Sequence, residues 1–221
     1  MARILMATTV YRIPQIARDA IDSILNAHAP VDVLVIDNDA NSDIKVLLRE
    51  YEKMVHIISN DTNLYCNGAW NQILEYGLKN NYDLIGFGSA LLHPNWYPTI
   101  CSRFAAYPNE VWIPEIGAPV PCPDFHKAHH VGGGNPGYFT FMPRAAVEKF
   151  YPIPSPLKQW YGDTYMYNIL ESWGWRVMVL DEMRAYHQWS VVMNSNPEMP
   201  TILAADKKAW DTGKYLEIPK Q

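Results

Sequence analysis

Cysteine is scarce in this chain. Cys66, Cys101 and Cys122 are odd in number and no two share a CxxC spacing, which argues against a disulfide framework and a cysteine-rich zinc site. Long apolar runs are missing as well: no stretch approaches the roughly 20 uncharged residues that span a bilayer. The opening MARILMATTV has no cleavage region behind its short apolar stretch, so it reads as a first strand and not as a secretion signal. Positive charge is in deficit, with 18 Lys and Arg against 23 Asp and Glu and a net charge of −5. That balance argues against a broad electrostatic grip on nucleic acid but leaves room for a local basic groove. Internal repeats, low-complexity tracts and charge blocks are absent too. A soluble protein of the reducing cytoplasm is the expectation.

What is present fits a single domain. The chain has 221 residues, 48% of them hydrophobic and 19% charged, which supplies a sizeable core and rules out disorder. Aromatic residues are the excess: 8 Trp and 14 Tyr are more than a core needs, and flat rings are what sugars and bases stack on.

Through about residue 106, short apolar runs alternate with helical patterns. Strands are expected at 3–7, 31–36, 55–59 and 83–88. Between them Pro14 opens a helix carrying Ile16, Ala20, Ile21, Ile24 and Leu25; a second holds Ile44, Leu47, Leu48 and Tyr51; a third holds Trp70, Ile73, Leu74 and Leu78. This alternation predicts an α/β fold with a largely parallel sheet. Residues 115–135 hold prolines, glycines and histidines without periodicity and read as one long loop. A strand at 138–142 and a helix opened by Pro143 follow. Met166, Ile169, Leu170 and Trp173 mark a further helix, ended by Gly174. Two late strands at 176–180 and 184–187 and a short helix at 203–210 complete the reading. Trp173 and Trp175 are expected in the core.

In a parallel sheet, ligands bind outside the carboxyl ends of the strands. That rule selects Thr8, Thr9 and Tyr11 after the first strand, Asp37 in IDNDANSD after the second, and Gly88, Ser89 and Ala90 after the fourth. Asp37 directly follows a buried strand, where a carboxylate can accept hydrogen bonds from a ribose or base edge; an Asx turn capping a helix is the competing reading. His126, His129 and His130 cluster in the long loop, but no acid stands at ligand spacing. The neighbouring glycines 132–134 read as a hinge or a point of close backbone approach.

The ordered segments ILMATTVYR, VLVIDNDANSD, NLYCNGAWNQIL and YDLIGFGSALLHPNW resemble the nucleotide-sugar-binding half of the GT-A glycosyltransferases, specifically the family-two-like inverting enzymes. GNPGYFTFMPRAAVEKF, WYGDTYMYNILESWGWRV and YHQWS resemble the acceptor side, acidic catalytic segment and late histidine of that family. The resemblance covers roughly residues 3–190. It implies a GT-A, Rossmann-like, mostly parallel sheet with helices on both faces and a small acceptor-side extension. Residues 1–106 would form the nucleotide-sugar half, 107–199 the acceptor and catalytic half of the same domain, and 200–221 a terminal helix and tail.

The resemblance also assigns roles. Thr8, Thr9, Tyr11 and Asp37 would hold the nucleotide, with Asn67, Asn71, Ser89 and Ala90 beside the diphosphate or sugar. Trp160, Tyr161, Gly137 and Trp189 would meet the acceptor. Asp163 would be the catalytic base of a hexosyl- or pentosyltransferase working on a nucleoside-diphosphate-sugar. Such enzymes commonly use a divalent cation, manganese or magnesium, but the acidic ligand is missing here: Ser89 and Ala90 stand where the pattern expects at least one aspartate. Two explanations stand: a protein that is naturally metal-independent or weakly metal-binding, or a metal-binding aspartate replaced at Ala90, the preferred reading; His187 would be the remaining metal contact. The acceptor hydroxyl could belong to a saccharide, a protein or a hydroxylated nucleic-acid base, the last served by Lys127, Arg144, Lys149 and Lys158. A membrane partner is not expected, and no feature specifies donor base, donor sugar or oligomeric state. Two other readings stay open: a non-catalytic sugar- or nucleotide-binding protein of the same fold, and a nucleotidyltransferase, for which TTVYRIPQ offers only Arg12.

Overall fold

The structure is a computed structural model that describes residues 2–38, 42–116, 128–130, 137–187 and 195–213. The first strand, β1 (Ile4–Val10), is buried on both faces, which its near-continuous apolar run requires. It lies between β2 (Asp32–Asn38) and β4 (Leu84–Gly88), both parallel to it, and β3 (His56–Asn60) pairs in parallel with β2 on the outer edge. This half is the parallel sheet the sequence predicts.

Beyond β4 the sheet is mixed. β8 (Phe139–Pro143) pairs antiparallel with β4 and with β6 (Glu110–Ile116). β9 (Arg176–Tyr186) runs parallel to β6, while β5 (Leu91–Leu92) and β7 (Ala128–His130) pair antiparallel with β9. The sheet order is therefore β3-β2-β1-β4-β8-β6-β9-β5, with β7 added on β9.

Parallel pairing thus holds in the first half and along β6–β9, with antiparallel pairs made by β8, β5 and β7. Two expectations are corrected here. The two late strands are one continuous strand, because β9 continues through a register shift against β6 between Pro114 and Glu115. Within the expected loop at 115–135, residues 115 and 116 end β6 and 128–130 form β7. Residues 117–127 and 131–136, with His126 and the glycine run, lie outside the described residues.

Alternation along the strands builds two apolar layers. Ile4, Met6 and Val10 of β1, with Val33 and Val35 of β2, face α1 (Pro14–Leu25), α2 (Ser42–Arg49) and α4 (Trp96–Ala106) through Ile21, Leu47 and Trp96. Leu5, Ala7, Leu34 and Ile36 face the other way, onto α3 (Tyr65–Lys79), α5 (Arg144–Phe150) and α6 (Gly162–Ser172) through Ile73, Val147 and Leu170. Helices on both faces of a half-parallel sheet make a three-layer α/β/α domain. Burial of alternate residues on the two faces fixes the register, since a slip of one residue would exchange the layers.

The last helix, α7 (Met199–Asp211), is longer than expected. Trp175 is buried as expected, but Trp173 is 62% exposed; it closes α6 at the surface, where the Lys149 ammonium lies 4.4 Å from its ring centre. Among the described residues, no helix is long and apolar enough to cross a membrane.

Candidate active site

The carboxyl ends of β1 and β4 open onto a cavity of about 350 Å³, a volume in the range of small-molecule sites. Its walls come from distant parts of the chain. β1 and the turn after it contribute Thr9, Val10, Tyr11 and Ile13, and α1 adds Ile16, Ala17 and Ala20. Asn38, Asn63, Tyr65, Cys66 and Trp70 come from the β2 end and the start of α3. Ser89 and Leu91 follow β4, Gly137 and Tyr138 precede β8, and Gln159, Trp160 and Asp163 surround the start of α6. His187 follows β9, and Met199 opens α7.

Backbone geometry at β4 explains why Ser89 reaches this cavity. Gly88 has φ +154°, and a Cβ there would stand 2.2 Å from the Tyr138 carbonyl oxygen. Only glycine permits that approach. The Ser89 amide then donates to the same carbonyl at 2.9 Å, so the β4 end and the segment carrying Gly137 and Tyr138 are locked side by side.

Asp163 sits in the first turn of α6, where the free amides of a helix start favour a carboxylate. Its Oδ2 accepts from the Gly137 amide at 2.9 Å, and its Oδ1 from the Thr164 amide at 2.8 Å. Oδ1 also accepts from Thr164 Oγ1 at 3.5 Å, while Oδ2 keeps a lone pair for a further donor. The carboxylate is half-buried and lines the cavity. Tyr161, in the left-handed region at φ 62°, caps the helix; its ring stacks on Trp210 at 5.0 Å and 10°. Gly162 is fixed by packing, because a Cβ there would meet Asn67 Oδ1 at 2.0 Å.

Burial disfavours the charged forms of four titratable groups at or beside the cavity. Burial, and then the Asp163 charge, push the Tyr138 hydroxyl up to about 12. The same two causes raise Tyr167, whose hydroxyl shares a 2.8 Å hydrogen bond with Thr140 Oγ1. Desolvation, followed by the charges of Asp163 and Asp206, pushes the Cys66 thiol up, which rules out a resting thiolate nucleophile. Burial lowers His187, which stacks on Tyr138 with ring centres 4.4 Å apart.

The His187 shift carries a stability consequence. Because the folded protein disfavours the imidazolium, the stabilising difference is fully present above the ordinary value of about 6.5 and is lost as pH falls below it. A His187→Asn variant is therefore expected to show a shallower fall in Tm between about pH 6.5 and 5 than the parent chain, as measured by thermal unfolding across that window. Parallel curves for the two proteins would refute the assignment.

The structure thus brings Thr9, Tyr11, Ser89, Gly137, Trp160, Asp163 and His187 into one cavity. Other expected site residues stand elsewhere. Thr8 and Asp37 are buried behind the cavity wall, 1% exposed each, and Asp37 Oδ2 accepts from Ser59 Oγ at 3.1 Å. Asn67 and Asn71 serve the backbone: Asn67 Nδ2 donates to the Leu157 and Trp160 carbonyls at 3.1 Å each, and Asn71 exchanges two hydrogen bonds with the Ile153 backbone, at 2.9 and 2.8 Å. Tyr161 packs against Trp210 behind the wall.

Ala90 is 1% exposed in the apolar layer with Val10, Ala17 and Leu92, one residue past the cavity-lining Ser89, so the expectation of a metal ligand at 90 is corrected. Trp189 and Lys127 lie outside the described residues. Arg144 is engaged by Glu148, Asn81 and the Leu78 carbonyl, and Lys149 by Trp173; of the expected basic residues, Lys158 is near the cavity, over the Tyr65 ring at 5.4 Å. Sequence reasoning missed Asn38, whose side chain joins Asn63, Leu64 and Tyr65, together with Gln159 and Met199.

The residues also bear on a metal. A divalent cation takes oxygen ligands and keeps phosphate and water in its shell. Among the described residues no group of three or more His, Cys, Asp or Glu side chains is placed to hold such an ion.

This architecture is the GT-A fold of glycosyltransferases. S. aureus TarS 1–349 in complex with UDP superposes with a TM-score of 0.63 at 14% identity, covering 99% of this chain and 76% of that one. The mannosyltransferase PcManGT of Pyrobaculum calidifontis, in complex with GDP-Man and Mn2+, gives 0.65 at 12%, covering 99% and 81%. GalNAc-T7 with UDP, GalNAc and Mn2+ gives 0.65 at 12%, covering 85% and 44%. A further structure of S. aureus TarS 1–349 is matched over 65% of its length. At these identities the likeness is one of fold. No protein-family model matches the chain, and no curated protein is similar to it in sequence.

Proposed function

We propose that this protein is a glycosyltransferase that moves a sugar from a nucleoside-diphosphate-sugar to a hydroxyl acceptor with inversion. The observation that carries the reading is the Asp163 carboxylate, set in the wall of the cavity at the β1 and β4 ends. In the reaction, the acceptor oxygen forms a bond to the anomeric carbon while the bond from that carbon to the diphosphate oxygen breaks on the opposite side. The acceptor proton passes to Asp163. The Gly137 and Thr164 amides hold the carboxylate toward the incoming hydroxyl, and Trp160, 44% exposed at the rim, offers a face on which an acceptor ring can stack. Thr9, Tyr11 and Asn38 line the part of the cavity at the β1 and β2 ends, where the nucleotide would lie.

A second reading, a sugar- or nucleotide-binding protein without turnover, is favoured by Ser89, which stands at the β4 end in place of an acid. Incubation with a panel of UDP-, GDP-, CDP- and dTDP-sugars separates the two. The expected result is release of nucleoside diphosphate, or transfer to an added acceptor, with at least one donor. Binding shown by a raised Tm without release from any donor would favour the second reading.

A further inference from the structure

The carboxylate of Asp206 is fully buried on α7, and among the described residues its hydrogen bonds go to the segment that precedes Asp163. Its Oδ1 accepts from the Lys158 amide at 2.9 Å. Its Oδ2 accepts from the Gln159 and Trp160 amides, at 2.7 Å each. Asn67, on α3, takes the opposite polarity of the same segment: its side-chain amide donates to the Leu157 and Trp160 carbonyls, and its backbone amide donates to the Lys158 carbonyl at 2.9 Å.

The four-residue loop 157–160 thus has three of its N–H groups held by one buried side chain and three of its carbonyls by another residue across from it. Loops ordinarily lie on the surface and turn such groups to water. Here the groups are bound from two helices, α3 and α7. The loop runs directly into the left-handed Tyr161, then Gly162 packed on Asn67, then Asp163.

From this we infer that Asp206 is a positioning residue. With Asn67 it grips residues 157–160 from two sides and so sets where the Asp163 carboxylate stands. The inference rests on the proposed role of Asp163 for its kinetic consequence, but not for its structural one. A reporter exists for the latter: the Gly137 amide donates to Asp163 Oδ2 and touches neither Asp206 nor Asn67.

The test is Asp206→Asn, which keeps the shape but turns one acceptor oxygen into a donor, so that at least one of the three amides faces an N–H group. The expected result is an exchange rate of the Gly137 amide raised about tenfold or more, as loss of one hydrogen bond implies, with the amides of β1 and β2 unchanged. In donor turnover, kcat falls by about ten- to a hundredfold, the cost of a carboxylate displaced by an ångström or so, while the donor KM stays within about twofold.

Unchanged Gly137 exchange, exchange raised equally throughout the sheet, or a parental kcat would each overturn the inference. If Asp206→Asn does not fold, Asn67→Ala releases the carbonyl side and must give the same Gly137 signature; its absence overturns the inference equally. The two proposals fail differently. A parent chain without turnover on any donor, but with the Gly137 signature in the variant, removes the enzymatic reading and leaves the grip. An active parent with an unaffected variant does the reverse.

Discussion

Asp163→Asn is expected to lower the rate of glycosyl transfer by roughly 10²- to 10⁴-fold, the range over which a positioned general base contributes. The substitution is nearly isosteric, and the remaining amide oxygen can still accept from the Gly137 amide. What is lost is the capacity to take a proton. The neighbouring hydroxyls and thiol cannot replace it, since burial holds Tyr138, Tyr167 and Cys66 in their protonated forms. The one rival base in the cavity wall is His187, whose lowered affinity for protons leaves a neutral imidazole near pH 7. Comparing kcat for Asp163→Asn and His187→Asn with the same donor decides between them. Nucleoside diphosphate should still raise the Tm of Asp163→Asn, because its proposed contacts lie at the β1 and β2 ends. Loss of activity confined to His187→Asn would move the base to the imidazole, and loss of nucleotide binding in Asp163→Asn would make Asp163 a binding group instead.

The parallel half of the sheet was legible because each of its elements states its period locally. VLVIDN is apolar on both faces, as a strand covered by two helical layers must be, and α1 and α3 carry their apolar stripes at helical spacing. β6 was not legible. EVWIPEI contains Pro114, and a proline inside a run reads as an edge or a break; in the structure Pro114 falls at the register shift against β9, where a missing amide is tolerated. α4 hid behind Pro98, which lies within the helix's first turn and costs no internal hydrogen bond.

The site divided along the same line. Thr9, Tyr11, Ser89 and Asp163 follow from the rule that ligands gather at strand carboxyl ends and helix starts. Asn67 and Asn71 were misplaced because an asparagine near a strand end looks alike whether it faces a ligand or satisfies a loop, and their partners lie 82 to 93 residues away. Asp206 gave no local signal: a single acid in ILAADKKAW reads as helix surface, and only the fold brings it to the amides of 158–160.

Restoring an acid at position 90 is expected to damage the protein instead of activating it. The Ala90 side chain is closed into the apolar layer that also holds Val10, Ala17, Leu92 and Trp96. A carboxylate placed there would lose its hydration without gaining a partner, which costs about 3 kcal/mol or more before the added volume is counted. For a domain of this size that is a fall in Tm of roughly 6–12 °C. Ala90→Asp should therefore unfold at lower temperature, and manganese should restore neither the Tm nor any donor turnover beyond that of the parent chain. Ser89, exposed to the cavity one residue earlier, supplies the contrast: Ser89→Asp places the new charge where solvent and a bound diphosphate can reach it, at little cost in Tm. A manganese-dependent rise in turnover in Ala90→Asp would mean that the β4 end reorganises to bring residue 90 out of the core, and the expectation of a lost metal ligand at that position would stand after all.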